Sequence, residues 1–89
     1  MKITVRYFAS IREAIGTGLE PVQTTAATLG VLRDELIARG GPHADSLARG
    51  KAVRMALNQT LSDESAALAD GAEVAFFPPV TGGRQVIAG

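Results

Sequence analysis

The sequence predicts a two-layer α+β domain, a small mixed sheet packed on one main helix. Three observations carry that prediction. Stretches near both ends alternate apolar and polar residues and are rich in β-branched and aromatic types, the pattern of half-buried strands. One central stretch instead spaces its leucines at helical intervals. The chain has 89 residues, enough for one domain and too few for two, and 46% of them are hydrophobic. A domain this small buries only roughly 60–65% of its unfolded surface, so its core is adequate rather than generous. No internal repeat is visible.

Residues 2–8, KITVRYF, form the first strand, with Ile3, Val5 and Tyr7 facing the core. Lys2, Thr4, Arg6 and Phe8 share the other face, where Phe8 is an aromatic among polar residues. Residues 10–16, SIREAIG, fit a short helix: Ser10 caps it, Glu13 completes a capping box and Gly16 ends it. Residues 19–24, LEPVQT, read as a second strand, at an edge because Pro21 has no N–H to donate. The main helix spans residues 28–39. Thr28 is its N-cap, and Leu29, Leu32, Leu36 and Ile37 make its apolar stripe. Arg33, Asp34, Glu35 and Arg39 are expected to face water, with Glu35 pairing with Arg39 one turn on. Gly40-Gly41-Pro42 stops the helix. Gly30, in the first turn, costs up to about 1 kcal/mol against alanine.

Residues 43–51, HADSLARGK, read as irregular or weakly helical. Residues 52–59, AVRMALNQ, alternate again, with Val53, Met55 and Leu57 inward and Arg54, Ala56 and Asn58 outward. Residues 60–73 carry turn chemistry, including Asp70-Gly71. Residues 73–77, EVAFF, are the last strand. Val74 and Phe76 share one face; Glu73, Ala75 and Phe77 share the other. The first and last strands, both markedly apolar, are the expected central pair.

Composition excludes several functions. Nine basic and nine acidic residues cancel, and no basic block exists to neutralise phosphates, so nucleic acid is not an expected partner. Without cysteine there is no disulfide framework or thiolate metal site, which fits a cytoplasmic protein. Lys2 and Arg6 interrupt the N-terminal apolar run, so it is not a signal peptide, and no run is long enough to span a membrane. The lone His43 has no partner at metal-ligand spacing and reads as a solvated loop residue. Ser62, Asp63, Glu64 and Ser65 read as a solvated turn. Gly16-Thr17-Gly18 is a turn too, lacking the further glycine of a nucleotide loop.

Two features remain. Strand parity places Phe8 and Phe77 on polar faces, and Leu61 lies just beyond the third strand. Two readings stand: together they outline an exposed apolar patch of the kind that marks a partner surface, or a loop covers them or sheet twist turns one of them inward. The second feature is the ending FFPPVTGGRQVIAG. Pro78-Pro79 removes two amide donors and ends the strand stiffly. Val80 and Thr81 lead on to Gly82 and Gly83, which carry no side chains and admit most backbone angles. Such an arm suits insertion into a narrow channel of another protein. Residues 1–81 therefore form the domain, and residues 82–89 a flexible tail that holds Gly82-Gly83 and a six-residue extension.

At these residues the chain resembles the small subunit of molybdopterin synthase, the MoaD family of sulfur carriers. DGAEVAFFPPVTGG (residues 70–83) is the specific part of the likeness, and VRYFASIREAIG, TLGVLRDELIARG and ALNQTL fall in the family's order. The resemblance implies a ubiquitin-like β-grasp fold. It implies that an E1-like adenylating enzyme activates the C-terminal glycine with ATP, and that a sulfur donor protein then replaces AMP to leave a thiocarboxylate. The tail would deliver that sulfur to a pterin precursor inside the large subunit of a heterotetrameric synthase. This chain itself binds no cofactor and no metal. Carried over residue by residue, Gly83 bears the sulfur and Gly82 is its slender neighbour. Phe8, Leu61 and Phe77 match the contact surface for the partners, Arg12 matches a residue near the tail's exit, and Pro78, Pro79, Val80 and Thr81 belong to the inserted arm.

The chain departs from the family at its end. RQVIAG follows Gly83, which therefore holds a peptide carbonyl and no ionisable carboxylate. As written, the chain reads as an inactive precursor. Three accounts of the extension stand: removal by a protease after Gly83, a remnant of cloning, or use of Gly89 instead. The bulk of Arg84, Gln85, Val86 and Ile87 weighs against the last. Two other functions also stand: a sulfur carrier for thiamine or cysteine synthesis, and a ubiquitin-like modifier or plain binding module.

Overall fold

The computed structural model describes residues 1–79. Its elements run β1 (Lys2–Tyr7), α1 (Ala9–Ile15), β2 (Leu19–Gln23), α2 (Leu29–Ile37), α3 (Gly41–Leu47), β3 (Arg54–Leu57), β4 (Thr60–Ser62) and β5 (Glu73–Phe77). The strands make one five-stranded sheet in the order β2-β1-β5-β3-β4. β5 pairs parallel with β1, and every other pairing is antiparallel. The two apolar terminal strands are neighbours, as their composition predicts, and β2 is an edge strand, as Pro21 requires.

One face of the sheet carries the core. Ile3, Val5, Tyr7, Val22, Met55, Val74 and Phe76 meet Leu29, Leu32 and Leu36 of α2, Ile11 of α1 and Leu47 of α3. This is a β-grasp: a mixed sheet wrapped around a principal helix. Thr28 caps α2 as expected, its hydroxyl accepting from the Val31 N–H at 3.3 Å. Gly30 faces the loop between β4 and β5. A Cβ there would lie 3.1 Å from Glu64 Cβ and 3.2 Å from its carbonyl oxygen, so only glycine lets that loop come so close.

Four expectations are corrected. Ser10 does not cap α1; the cap position is Phe8, without a side-chain bond, because Ala9 takes a left-handed φ of 51° that turns the chain one residue early. Residues 43–51, expected to be irregular or weakly helical, divide: 43–47 belong to a formed helix, Gly41–Leu47, which Pro42 opens as well as closing α2, and 48–51 are irregular. Arg33 does not face water. It is buried, donating to the carbonyls of Leu47 (2.7 Å), Ala48 (2.8 Å) and Lys51 (3.3 Å) and to Glu64 (3.1 Å). Glu35 accepts from the Thr24 hydroxyl rather than from Arg39, which reaches Glu20 instead.

Candidate functional site

The sheet's other face, opposite the helices, holds the predicted surface residues. Register places Leu19, Arg6, Ala75, Ala56 and Leu61 in one row across all five strands. Ala75 and Ala56 keep the middle of that row low. Leu61, on the edge strand β4, stands 63% exposed at one end. At neighbouring-strand spacing it is roughly 14 Å from β1. One residue beyond the paired Tyr7 and Phe76 come Phe8 and Phe77, both on this outer face. The Phe8 N–H donates to the Phe76 carbonyl at 3.1 Å, which fixes where the Phe8 side chain leaves the sheet. The Phe8 carbonyl accepts from the N–H groups of Ile11 and Arg12, each at 3.2 Å, and the Arg6 guanidinium sits 6.0 Å from the Phe8 ring centre.

The patch differs from its prediction at Phe77. Its face is as parity requires, outside the core cluster, yet it is only 6% exposed. β5 is the central strand, so Phe77 has neighbours on both sides, with Arg54 of β3 directly opposite it. Phe8 is half-buried, which leaves Leu61 and Leu19, 63% and 51% exposed at opposite ends of the row, as the prominent apolar projections on this face.

Pro78 and Pro79 follow β5 directly and are half-buried. Pro78 lines a cleft of about 330 Å³ together with Ser10, Ile11 and Ala14 of α1 and Asp45 and Lys51. Thus α1 borders the root of the tail, although Arg12 is not among the lining residues. Arg12 is exposed and lies over Gly18, where an added Cβ would be 3.0 Å from its Nε. The assignments to Val80, Thr81, Gly82 and Gly83, and the tail at residues 82–89, fall outside the described residues. Among the described residues no cluster of His, Asp and Glu is arranged to hold a metal ion, and no helix is long and apolar enough to cross a membrane.

Sequence reasoning missed a polar cluster at the other end of the core. The Tyr7 hydroxyl donates to Glu20 at 2.8 Å, Arg39 bonds the second Glu20 oxygen, and His43 Nε2 lies 3.3 Å from the first. His43 is half-buried, its ring edge-on to Tyr7 with centres 5.9 Å apart, and not a solvated loop residue. Burial, then the bond to Glu20, raises the Tyr7 pKa and keeps its hydroxyl protonated. For Glu20, burial pulls the pKa upward, but bonds from Arg39, Tyr7 and His43 outweigh it and hold the carboxylate below its ordinary value. The cluster ties the edge strand β2 to the corner between α2 and α3. The parity of Glu20, opposite the inward-facing Val5, was the available signal.

A family model described as the ThiS family matches residues 5–83. The chain belongs to the ThiS family. The match ends at Gly83 and leaves the extension outside it. This ThiS-family chain is 44% identical over 81 residues to the molybdopterin synthase sulfur carrier subunit of Escherichia coli K12, covering 91% of this chain and 99% of that one. Among solved structures it resembles SAMP1 from Haloferax volcanii, with a TM-score of 0.76, 28% identity, and coverage of 93% and 100%. It also resembles a chain in the complex of subunits 1 and 2 of the molybdopterin-converting factor from Helicobacter pylori, with a TM-score of 0.64, 28% identity, and coverage of 93% and 100%.

Proposed function

We propose that this chain is the sulfur-carrier small subunit of a molybdopterin synthase, acting in the cytoplasm in molybdenum cofactor biosynthesis. The observation that carries the reading is the ending DGAEVAFFPPVTGG, mounted on the central strand of the sheet, in a chain 44% identical to a relative named for that role. An E1-like enzyme adenylates the exposed Gly83 carboxylate with ATP, which this chain does not itself bind. A sulfur donor protein displaces AMP and leaves a thiocarboxylate. The large subunit then receives the tail and passes its sulfur to the pterin precursor.

The chain's own part is to supply a reactant. A thiocarboxylate is a nucleophile that water hydrolyses, so it is used best inside a partner that excludes water. Glycine at positions 82 and 83 lets the arm enter a channel that no side chain fits. Phe8, Leu61 and the alanine floor between them form the docking face, with Phe77 supporting it from within the sheet. Pro78-Pro79 stand where the arm leaves the domain, and Arg12 is assigned to the partner contact by its likeness to the family. Acid–base groups belong to the partner.

The test is recovery of the tagged chain from its source cells. The reading expects one large-subunit partner, with pterin. Isopeptide-linked conjugates on the lysines of many proteins, without a large subunit, would establish a modifier instead.

A further inference from the structure

We infer that Arg6 is a specificity contact on the outer face of the sheet, and that the large subunit meets it with a carboxylate. The inference rests on the sulfur-carrier reading, which supplies that partner. Arg6 is the only charged residue in the row that runs from Leu19 through Ala75 and Ala56 to Leu61. The two leucines stand about 19 Å apart at the usual strand spacing, with Arg6 one strand in from Leu19. Around the row the face is basic. Its outward-facing strand residues include three cations, Lys2, Arg6 and Arg54, against one carboxylate, Glu73. The chain as a whole has nine charges of each sign, so this excess is local. Asp63, just past β4, is already bonded by the N–H and hydroxyl of Ser65.

The donors of Arg6 are unspent. A guanidinium carries five N–H donors and no acceptor. In Arg33 the Nε N–H donates to the Leu47 carbonyl, and the terminal nitrogens donate to Glu64 and to the Ala48 and Lys51 carbonyls. Arg49 is engaged as fully, by Asp34, Glu64 and the Gly30 carbonyl. The Arg6 Nε N–H, by contrast, is buried and meets no acceptor among the described residues. Its described ion pair, to Glu73, is 3.5 Å long, well beyond an ordinary charge-assisted hydrogen bond. The side chain is still 42% exposed and so open to a partner. A buried donor without an acceptor costs free energy until one arrives, and a carboxylate laid against a guanidinium accepts two parallel bonds at once. The Phe8 ring, centred 6.0 Å away, keeps water from one side of that contact and strengthens it. A surface with apolar pockets set about an acidic residue complements this face. A basic or uncharged one would leave Arg6 covered and unpaired.

The experiment is titration calorimetry of the large subunit against wild type, Arg6→Gln, Arg6→Glu and Arg6→Lys, each made full length and ending at Gly83. Arg6→Gln should weaken binding about ten-fold and Arg6→Glu about a hundred-fold, while Arg6→Lys should lose less than Arg6→Gln. Raising salt from about 50 to about 500 mM should weaken the wild type more than Arg6→Gln. Reversing the surface Asp and Glu residues of the large subunit to lysine, one at a time, should find one variant that restores binding to Arg6→Glu. Arg6→Gln affinity within about twofold of wild type, the same salt dependence in both, or no restoring residue overturns the contact. So does an Arg6→Glu chain that binds the large subunit like wild type and loses only the activating enzyme. Failure of both wild-type forms to bind the large subunit overturns the carrier reading instead. Arg6 points out of the core, and an unchanged urea midpoint in each variant shows that folding is not the cause.

Discussion

Replacing Leu61 by alanine should weaken docking of the large subunit about five- to thirty-fold while leaving the domain stable. Burying a leucine side chain fully is worth about 1.5–3 kcal/mol. Leu61 is 63% exposed, so that share of the term is unspent in the isolated domain and available to a partner. The share comes to about 1–2 kcal/mol, and each 1.4 kcal/mol is about a factor of ten in affinity. Stability should change by less than about 0.5 kcal/mol, because an exposed edge-strand residue gives up little packing. Titration calorimetry with the large subunit reads the first effect and urea unfolding reads the second. Leu61→Asp should weaken binding further, because it places a charge in a desolvated contact. An affinity within twofold of wild type for Leu61→Ala, with the fold intact, would refute the assignment of this face.

Two further outcomes follow from buried polar groups. Arg33→Ala should cost about 1–3 kcal/mol in urea unfolding, since it removes the buried guanidinium's hydrogen bonds to the Leu47 and Ala48 carbonyls while Glu64, 40% exposed, keeps its access to water; a loss under about 0.5 kcal/mol would contradict that role. Glu20→Gln should flatten the acid limb of the stability profile. A carboxylate held below its ordinary value of 4.5 contributes fully above that value and progressively less as pH falls through its lower folded-state value. The stability difference between wild type and Glu20→Gln, followed by thermal melts, should therefore be largest at neutral pH, about 1 kcal/mol, and shrink below pH 4.5. A difference that stays constant from neutral pH downward would remove Glu20 from the account.

Local and alternating signals were legible in the sequence. Ile3, Val5 and Tyr7 declare the inner face of β1 by period two, and Thr28 declares the start of α2, because both depend on neighbours within a few residues. The Ser10 cap failed locally, at the left-handed Ala9, but the other failures depend on distant chain. Arg33 sits among polar residues of an amphipathic helix, and its carbonyl partners arrive only because Gly40-Gly41-Pro42 folds α3 back over α2. His43 and Glu20 are far apart in sequence and meet only through β2 and α3. Parity gave Phe77 its correct face but not its burial, which follows from the central place of β5. Of the site, Phe8 and Leu61 were readable as apolar residues in polar positions. The role of Gly82-Gly83 rests on the ending itself and on the family to which the chain belongs.

Everything proposed for this chain depends on sulfur being carried on Gly83. The measurement that tests it most directly is the intact mass of the chain ending at Gly83 after incubation with ATP, the activating enzyme and a sulfur source. The chain should gain the mass difference between sulfur and oxygen. Mixing with the large subunit and the pterin precursor should reverse the gain. A chain whose mass never changes, or one that gains sulfur and keeps it in the presence of both, would contradict the account.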